Sequence, residues 1–91
     1  MDGSSKTLVI ESRSMTLKQL IELVSAGNAR LTNTLGTPVV EIEDSKATRR
    51  IIISNIIFET DRIKERMSDG REKIYLVSPL RLFRSAVSSA P

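Results

Sequence analysis

The stretch from Ser45 to Ser78, SKATRRIIISNIIFETDRIKERMSDGREKIYLVS, constrains the fold of this chain most, because it holds most of the large apolar residues and a strong turn signal. Asp69-Gly70 separates two runs in which polar and apolar residues alternate. This dipeptide is typical of a β-hairpin, with strands predicted over residues 62–68 and 71–78. A hairpin here fixes the second half of the chain as partly β.

The segment before the hairpin predicts a helix over residues 46–59, with Ser45 as its N-cap. Apolar residues recur there at helical spacing and give a stripe for the core, made of Ile52, Ile53, Ile56 and Ile57. Ala47, Ile51 and Phe58 form a second apolar patch. A buried strand through Ile51-Ile52-Ile53 stays open as an alternative, because β-branched residues favour strands.

The hairpin alternation predicts a basic outer face. On the first strand Ile63 and Met67 point inward, and on the return strand Ile74 and Leu76 do so. The outward positions are then Arg62, Lys64, Arg66, Arg71, Lys73 and Tyr75. Such a face suits contact with phosphates, and the alternative is a charged edge that prevents strand pairing.

Upstream, Thr16 and Gln19 form a capping box for a helix that ends at Gly27 or Asn28. Residues 7–11, TLVIE, are β-prone and predict an edge strand or an arm. Residues 29–36 indicate a connection, with a short strand over 30–32 as an option.

Residues 37–44, TPVVEIED, fit two structures. A helix would use Thr37 as its cap and Pro38 in its first turn. A strand would place Val40 and Ile42 on one face, and the composition favours the strand.

The chain ends in a predicted amphipathic helix over residues 80–88, which begins after Pro79. We expect residues 1–6 to be a disordered start, residues 7–88 to form a single domain and residues 89–91 to fray. A domain of 91 residues buries a small core, which favours self-association.

Composition argues against catalysis and cofactors. The chain has no cysteine and no histidine, so it lacks disulfides, thiolate metal ligands and the usual general base. It has no P-loop, dinucleotide-binding glycine pattern or metal-ligand spacing. No apolar run is long enough to span a bilayer, and the polar start lacks a signal-peptide core. We therefore predict a cytoplasmic protein that is not an enzyme, with no metal, membrane or small-molecule partner.

Charge is distributed unequally along the chain. Residues 1–44 carry four basic and six acidic residues, whereas residues 45–91 carry ten basic and five acidic ones, within an overall charge of +3. The excess in the helix-and-hairpin half favours a nucleic-acid partner, and the alternative is a solvated charged surface.

The segments SKATRR, IKERMSDGREKIYLVSP and LRLFRSAV, with the Ile-rich run between the first two, resemble the recognition helix, wing and following helix of bacterial and archaeal winged helix-turn-helix regulators. The resemblance covers residues 45–87. It implies an α+β fold, a small winged-helix domain with a basic β-hairpin wing and a C-terminal helix. It also implies duplex DNA binding by a regulator of transcription or replication.

On this reading the recognition helix would contact the major groove or its flanking phosphates through Lys46, Thr48, Arg49 and Arg50. The wing would contact the DNA backbone through Lys64, Arg66, Arg71 and Lys73. A homodimer is predicted, with contacts from Ile51, Phe58, Leu80, Phe83 and Val87.

Two further functions stay open. The apolar helix faces suit a protein–protein assembly module without nucleic acid. The order of elements also resembles the β-α-β-α-β-β sandwich of Alba-type chromatin proteins, which bind nucleic acid.

Overall fold

The computed structural model of the protein describes residues 6–84, which form seven strands in two sheets and two short helices. The predicted winged-helix fold is wrong, because strands replace its recognition helix. Among the described residues, no helix has the length and apolar character needed to cross a membrane. In chain order the elements are β1 (Thr7–Arg13), α1 (Leu17–Ser25), β2 (Ala29–Leu31), β3 (Val39–Glu43), β4 (Ala47–Ile53), β5 (Ile56–Phe58), β6 (Ile63–Arg66), β7 (Glu72–Tyr75) and α2 (Pro79–Leu82).

The segment predicted as a helix over residues 46–59 forms β4 and β5, joined by a turn at Ser54 and Asn55. Ile51 and Ile53 are buried, whereas Ile52 lies on the opposite face of β4. The β-branched run therefore follows the two-residue period of a strand, which was the alternative reading. The Alba-type order is wrong for the same reason, since its second helix falls on β4 and β5.

A turn at Asp44 replaces the predicted N-cap at Ser45. The Asp44 Oδ1 atom accepts hydrogen bonds from the backbone N–H groups of Lys46 and Ala47, both at 2.8 Å. These two bonds hold the pKa of the Asp44 carboxyl below its usual value. Asp44 thereby closes a β3–β4 hairpin, so residues 39–43 are the strand that their composition favoured.

The first sheet has the strand order β1-β4-β3-β2, with β1 parallel to β4 and the other pairs antiparallel. Helix α1 connects β1 to β2. Its predicted capping box is confirmed, since Thr16 Oγ1 accepts from the Gln19 N–H and the Gln19 side chain accepts from the Thr16 N–H. Gly27 follows the helix with φ +85°, as its C-terminal signal predicted.

The second sheet has the order β5-β6-β7, and its β6–β7 hairpin confirms the predicted turn position. The register differs by one residue from that of a two-residue turn. Gly70 has φ +89° and its N–H donates to the Met67 carbonyl at 3.0 Å, whereas no non-glycine residue among those described has positive φ. A four-residue turn followed by a glycine bulge therefore replaces the two-residue turn, which needs positive φ at Asp69 too.

That one-residue difference exchanges the faces of the return strand. Ile74 lies opposite Lys64 and is 49% exposed, so its predicted inward position is wrong. Tyr75 lies opposite Ile63 on the core side. The predicted single basic face therefore does not form, because Lys73 shares a face with Tyr75 rather than with Lys64.

The core lies between α1, one face of the first sheet and one face of the second sheet. It contains two phenylalanines, Phe58 and Phe83, whose ring centroids are 5.6 Å apart. The predicted C-terminal helix is observed only as α2, and residues 85–88 of its span lie outside the described residues, as do residues 1–5 and 89–91. The buried apolar residues are Leu17, Leu20, Val24, Ala29, Leu31, Val40, Ile51, Ile53, Ile56, Phe58, Ile63 and Phe83.

Candidate functional site

Strand β1 has a strand neighbour on one side only among residues 6–84. The Thr7 N–H donates to the Lys46 carbonyl at 3.3 Å, and the Ser54 N–H donates to the Arg13 carbonyl at 2.9 Å. Alternate residues of a parallel strand direct their backbone groups to opposite sides, so the odd-numbered residues of β1 bond to β4. The residues that direct N–H and C=O toward the open edge are Leu8, Ile10 and Ser12.

The side of the first sheet that faces away from α1, called the outer face here, is partly apolar. On β1 the side chains of Leu8 and Ile10 are 50% and 60% exposed. The same face has an open concavity of about 400 Å³, which is lined by Ile10, Val39, Ile52 and Thr32. Long exposed edge strands with apolar side chains readily pair with other chains.

Charges on the outer face are paired around Glu41. Its Oε1 atom accepts from Arg30 Nη2 at 2.8 Å, and its Oε2 atom accepts from Arg50 Nε at 3.2 Å. These hydrogen bonds lower the pKa of the Glu41 carboxyl, with the hydrogen bond from Arg30 first and that from Arg50 second. Two guanidinium groups thus share one carboxylate beside the concavity, which leaves one excess positive charge and an accessible apolar floor.

The eight residues predicted to contact DNA do not share one surface. Arg50 and Thr48 lie on the outer face, whereas Arg49 lies on the opposite face of β4. Three of the cations form ion pairs: Arg50 with Glu41, Lys64 with Glu59, and Arg71 with Asp69. Lys46, Arg49, Arg66 and Lys73 form no ion pair among residues 6–84.

The residues predicted as dimer contacts lie mostly inside the monomer. Ile51, Phe58 and Phe83 are 1–3% exposed and belong to the core. Leu80 is 58% exposed, so it is accessible to a partner, and Val87 lies outside the described residues. The accessible apolar residues of the first sheet are instead on β1.

A buried carboxylate anchors the start of α1. The Glu65 side chain is 2% exposed, and its Oε1 atom accepts from the Leu17 N–H at 3.2 Å and from the Tyr75 hydroxyl at 2.9 Å. Burial raises the pKa of the Tyr75 hydroxyl, and its hydrogen bond to Glu65 raises it further. Both donors are satisfied within the protein, which makes Glu65 a structural link between α1 and the second sheet.

Asn55 joins three segments next to that link. Its Oδ1 atom accepts from the Met15 N–H at 3.0 Å, while its Nδ2 atom donates to the carbonyls of Met15 and Arg66 at 2.9 and 3.1 Å. The connection between β1 and α1, the β4–β5 turn and β6 are therefore tied together.

No group of histidine, cysteine or carboxylate side chains that could hold a metal occurs in residues 6–84. The residues that sequence reasoning did not assign to a site are Leu8 and Ile10, although residues 7–11 were read as an edge strand or arm. The available signal was the run Leu8-Val9-Ile10, which puts an apolar residue on both faces of a strand.

Comparison with known proteins gives no further assignment, since no family model, curated protein or solved structure matches this chain.

Proposed function

We propose that this protein is a non-catalytic assembly module that associates through the open edge of β1 and the adjacent outer face. One observation carries the proposal: a seven-residue strand with a single strand neighbour among the described residues exposes half or more of Leu8 and Ile10. Proteins usually guard such edges with Lys, Pro or a bulge. Strand β1 contains no Lys, Pro or bulge, and its two charges, Glu11 and Arg13, pair with each other.

Proline at position 10 tests the open edge without disturbing the sheet. The Ile10 N–H points away from β4, so Ile10→Pro removes no β1–β4 hydrogen bond, and proline is tolerated where an edge N–H faces solvent. We expect Ile10→Pro to weaken association about tenfold or more, since each chain loses a donor worth about 1 kcal/mol and the ring blocks close approach. Sedimentation equilibrium over a concentration series measures this change.

Ile10→Ala is the matched control, because it removes the side chain and retains the N–H group. Association by strand pairing predicts a smaller loss for Ile10→Ala than for Ile10→Pro. Equal association of Ile10→Pro and the unmodified protein, with retained circular dichroism, would contradict the proposal.

Duplex DNA binding is the second candidate function, and it is supported by two exposed cations that form no ion pair with another described residue. Lys46 lies in the β3–β4 turn, and Arg49 follows it on β4 at the same end of the sheet. Neither forms an ion pair among residues 6–84. Two exposed cations three residues apart in the chain suit separate phosphate contacts.

A salt series tests this candidate. If both side chains contact phosphates, Lys46→Ala with Arg49→Ala should reduce the slope of log affinity against log salt by somewhat under two units. The control is Lys64→Ala with Arg71→Ala, whose cations are already paired with carboxylates and should change the slope less. Fluorescence anisotropy with a labelled duplex measures both. Absence of duplex binding by the unmodified protein in low salt would eliminate this candidate.

A further inference from the structure

We propose that the partner at the β1 edge is a second copy of this chain, paired antiparallel to β1 about a two-fold axis through Ile10. The inference rests on the proposed assembly function and specifies its partner and geometry. It joins two first sheets into one sheet of eight strands.

The open backbone groups of β1 are arranged symmetrically about Ile10. Leu8 and Ser12 lie two residues to either side, and all three direct N–H and C=O outward. In an antiparallel pair, Ile10 then exchanges two hydrogen bonds with the partner's Ile10, and Leu8 exchanges two with the partner's Ser12. Ser12 likewise exchanges two hydrogen bonds with the partner's Leu8. All the outward N–H and C=O groups of β1 are then hydrogen-bonded, and the pair needs no residue outside Thr7–Arg13.

The side chains also match themselves. On the outer face Ile10 meets the partner's Ile10, so two side chains that are each 60% exposed cover one another. Leu8 lies next to them and opposite Ser12, which extends the apolar row across the axis. Self-complementarity of this kind is what an isologous two-fold interface requires.

Charge permits the same register. The strand carries one acidic and one basic residue, and Arg13 Nη2 is 2.6 Å from Glu11 Oε2, so the charges are neutralised within each copy. In the Ile10-centred register Glu11 lies opposite Val9 and Arg13 lies opposite Thr7. No like charges are therefore placed directly across the new strand pair.

A single cysteine at position 10 tests the axis directly, because the chain has no cysteine of its own. Residues that face each other in a hydrogen-bonded antiparallel pair have Cα atoms about 5.5 Å apart, which is within the range of about 4.4–6.8 Å for a disulfide. Under mild oxidation at about 50 µM chain, we expect Ile10→Cys to form a covalent dimer at least about tenfold faster than a control cysteine, since pairing raises the effective thiol concentration to about the millimolar range.

Two controls separate pairing from collision. Ile74 is an exposed residue on the edge strand β7, so Ile74→Cys should cross-link slowly. Val9→Cys should also cross-link slowly, because its copies lie about 8 Å apart, diagonally across the axis. Equal rates for Ile10→Cys and Ile74→Cys, or faster linkage through Val9→Cys, would overturn the Ile10-centred pair.

Sedimentation of the unmodified protein, together with the variants, distinguishes the two-fold β1 pair from association through the β1 edge in general. A two-chain species that Ile10→Pro disrupts, together with selective Ile10→Cys linkage, supports the two-fold pair. Association that Ile10→Pro disrupts without selective linkage refutes this pair and leaves the assembly function standing. A monomer at every concentration refutes both.

Discussion

Replacement of Phe58 by alanine is expected to lower the free energy of unfolding by about 3–5 kcal/mol. The Phe58 side chain is 1% exposed and packs against Phe83 where the two sheets meet. Its backbone also exchanges hydrogen bonds with Gly36 at 2.7 and 2.9 Å, so the vacated space cannot close by a simple strand shift. A loss of this size is a large part of the total stability of about 5–15 kcal/mol expected for a domain. Urea unfolding followed by circular dichroism measures it.

Ile57→Ala is the matched control, one residue away on the opposite face of β5 and 40% exposed. We expect it to cost less than about 1 kcal/mol. The pair also separates strand from helix in this segment, since a helix over residues 46–59 would bury Ile57 in its core stripe. A larger loss from Ile57→Ala than from Phe58→Ala would contradict the β5 assignment.

Replacement of Glu65 by alanine is expected to destabilise the fold by about 2–4 kcal/mol, because it leaves one buried and one partly buried donor without an acceptor. These donors are the Leu17 N–H at the start of α1 and the Tyr75 hydroxyl on β7. The carboxylate also lies at the N-terminal end of α1, where the helix dipole favours negative charge. Urea unfolding at neutral pH measures the loss.

Glu65→Gln serves as the control, since its amide oxygen can replace Oε1 as the acceptor. We expect it to cost about 1 kcal/mol or less, mainly through the lost interaction of charge with the helix. Tyr75→Phe removes one donor and its cost should be small, because no buried group is left without a partner. Similar stability for Glu65→Ala and Glu65→Gln would show that these hydrogen bonds contribute little.

Local signals predicted those elements that depend on neighbouring residues. The capping box of Thr16 and Gln19 gave the start of α1, and Gly27 gave its end, because each acts within one helical turn. Asp69-Gly70 located the β6–β7 turn. The dipeptide did not decide between a two-residue turn and a bulged four-residue turn, and that difference of one residue reversed the faces of β7.

The central segment was mispredicted because its apolar residues fit both periods. Helical spacing is met by Ile52, Ile53, Ile56 and Ile57. The buried residues are instead the odd-numbered Ile51 and Ile53 before the Ser54–Asn55 turn and the even-numbered Ile56 and Phe58 after it. The prediction of a shared basic surface was wrong for the same reason. A helix would place Lys46, Arg49 and Arg50 on one side, whereas adjacent residues of strand β4 lie on opposite faces. The run over residues 7–11 predicted an edge strand or an arm, but its parallel pairing with β4 was not predictable, because residues 47–53 were assigned to a helix.

The parallel pairing of β1 with β4 also bears on the order of folding. Thr7 lies opposite Ala47, so this contact closes a loop of forty residues, whereas the β3–β4 and β6–β7 hairpins each close within a few residues. Closure of a long loop costs more chain entropy, and distant contacts form later than local ones. We expect β1 to join a sheet whose β2, β3 and β4 strands are already paired. During that interval the edge of β4 is vacant, and β1 of another chain can occupy it. Strand exchange would then be a kinetic route to a dimer that differs from the β1–β1 pair, because it joins β1 of one copy to β4 of the other.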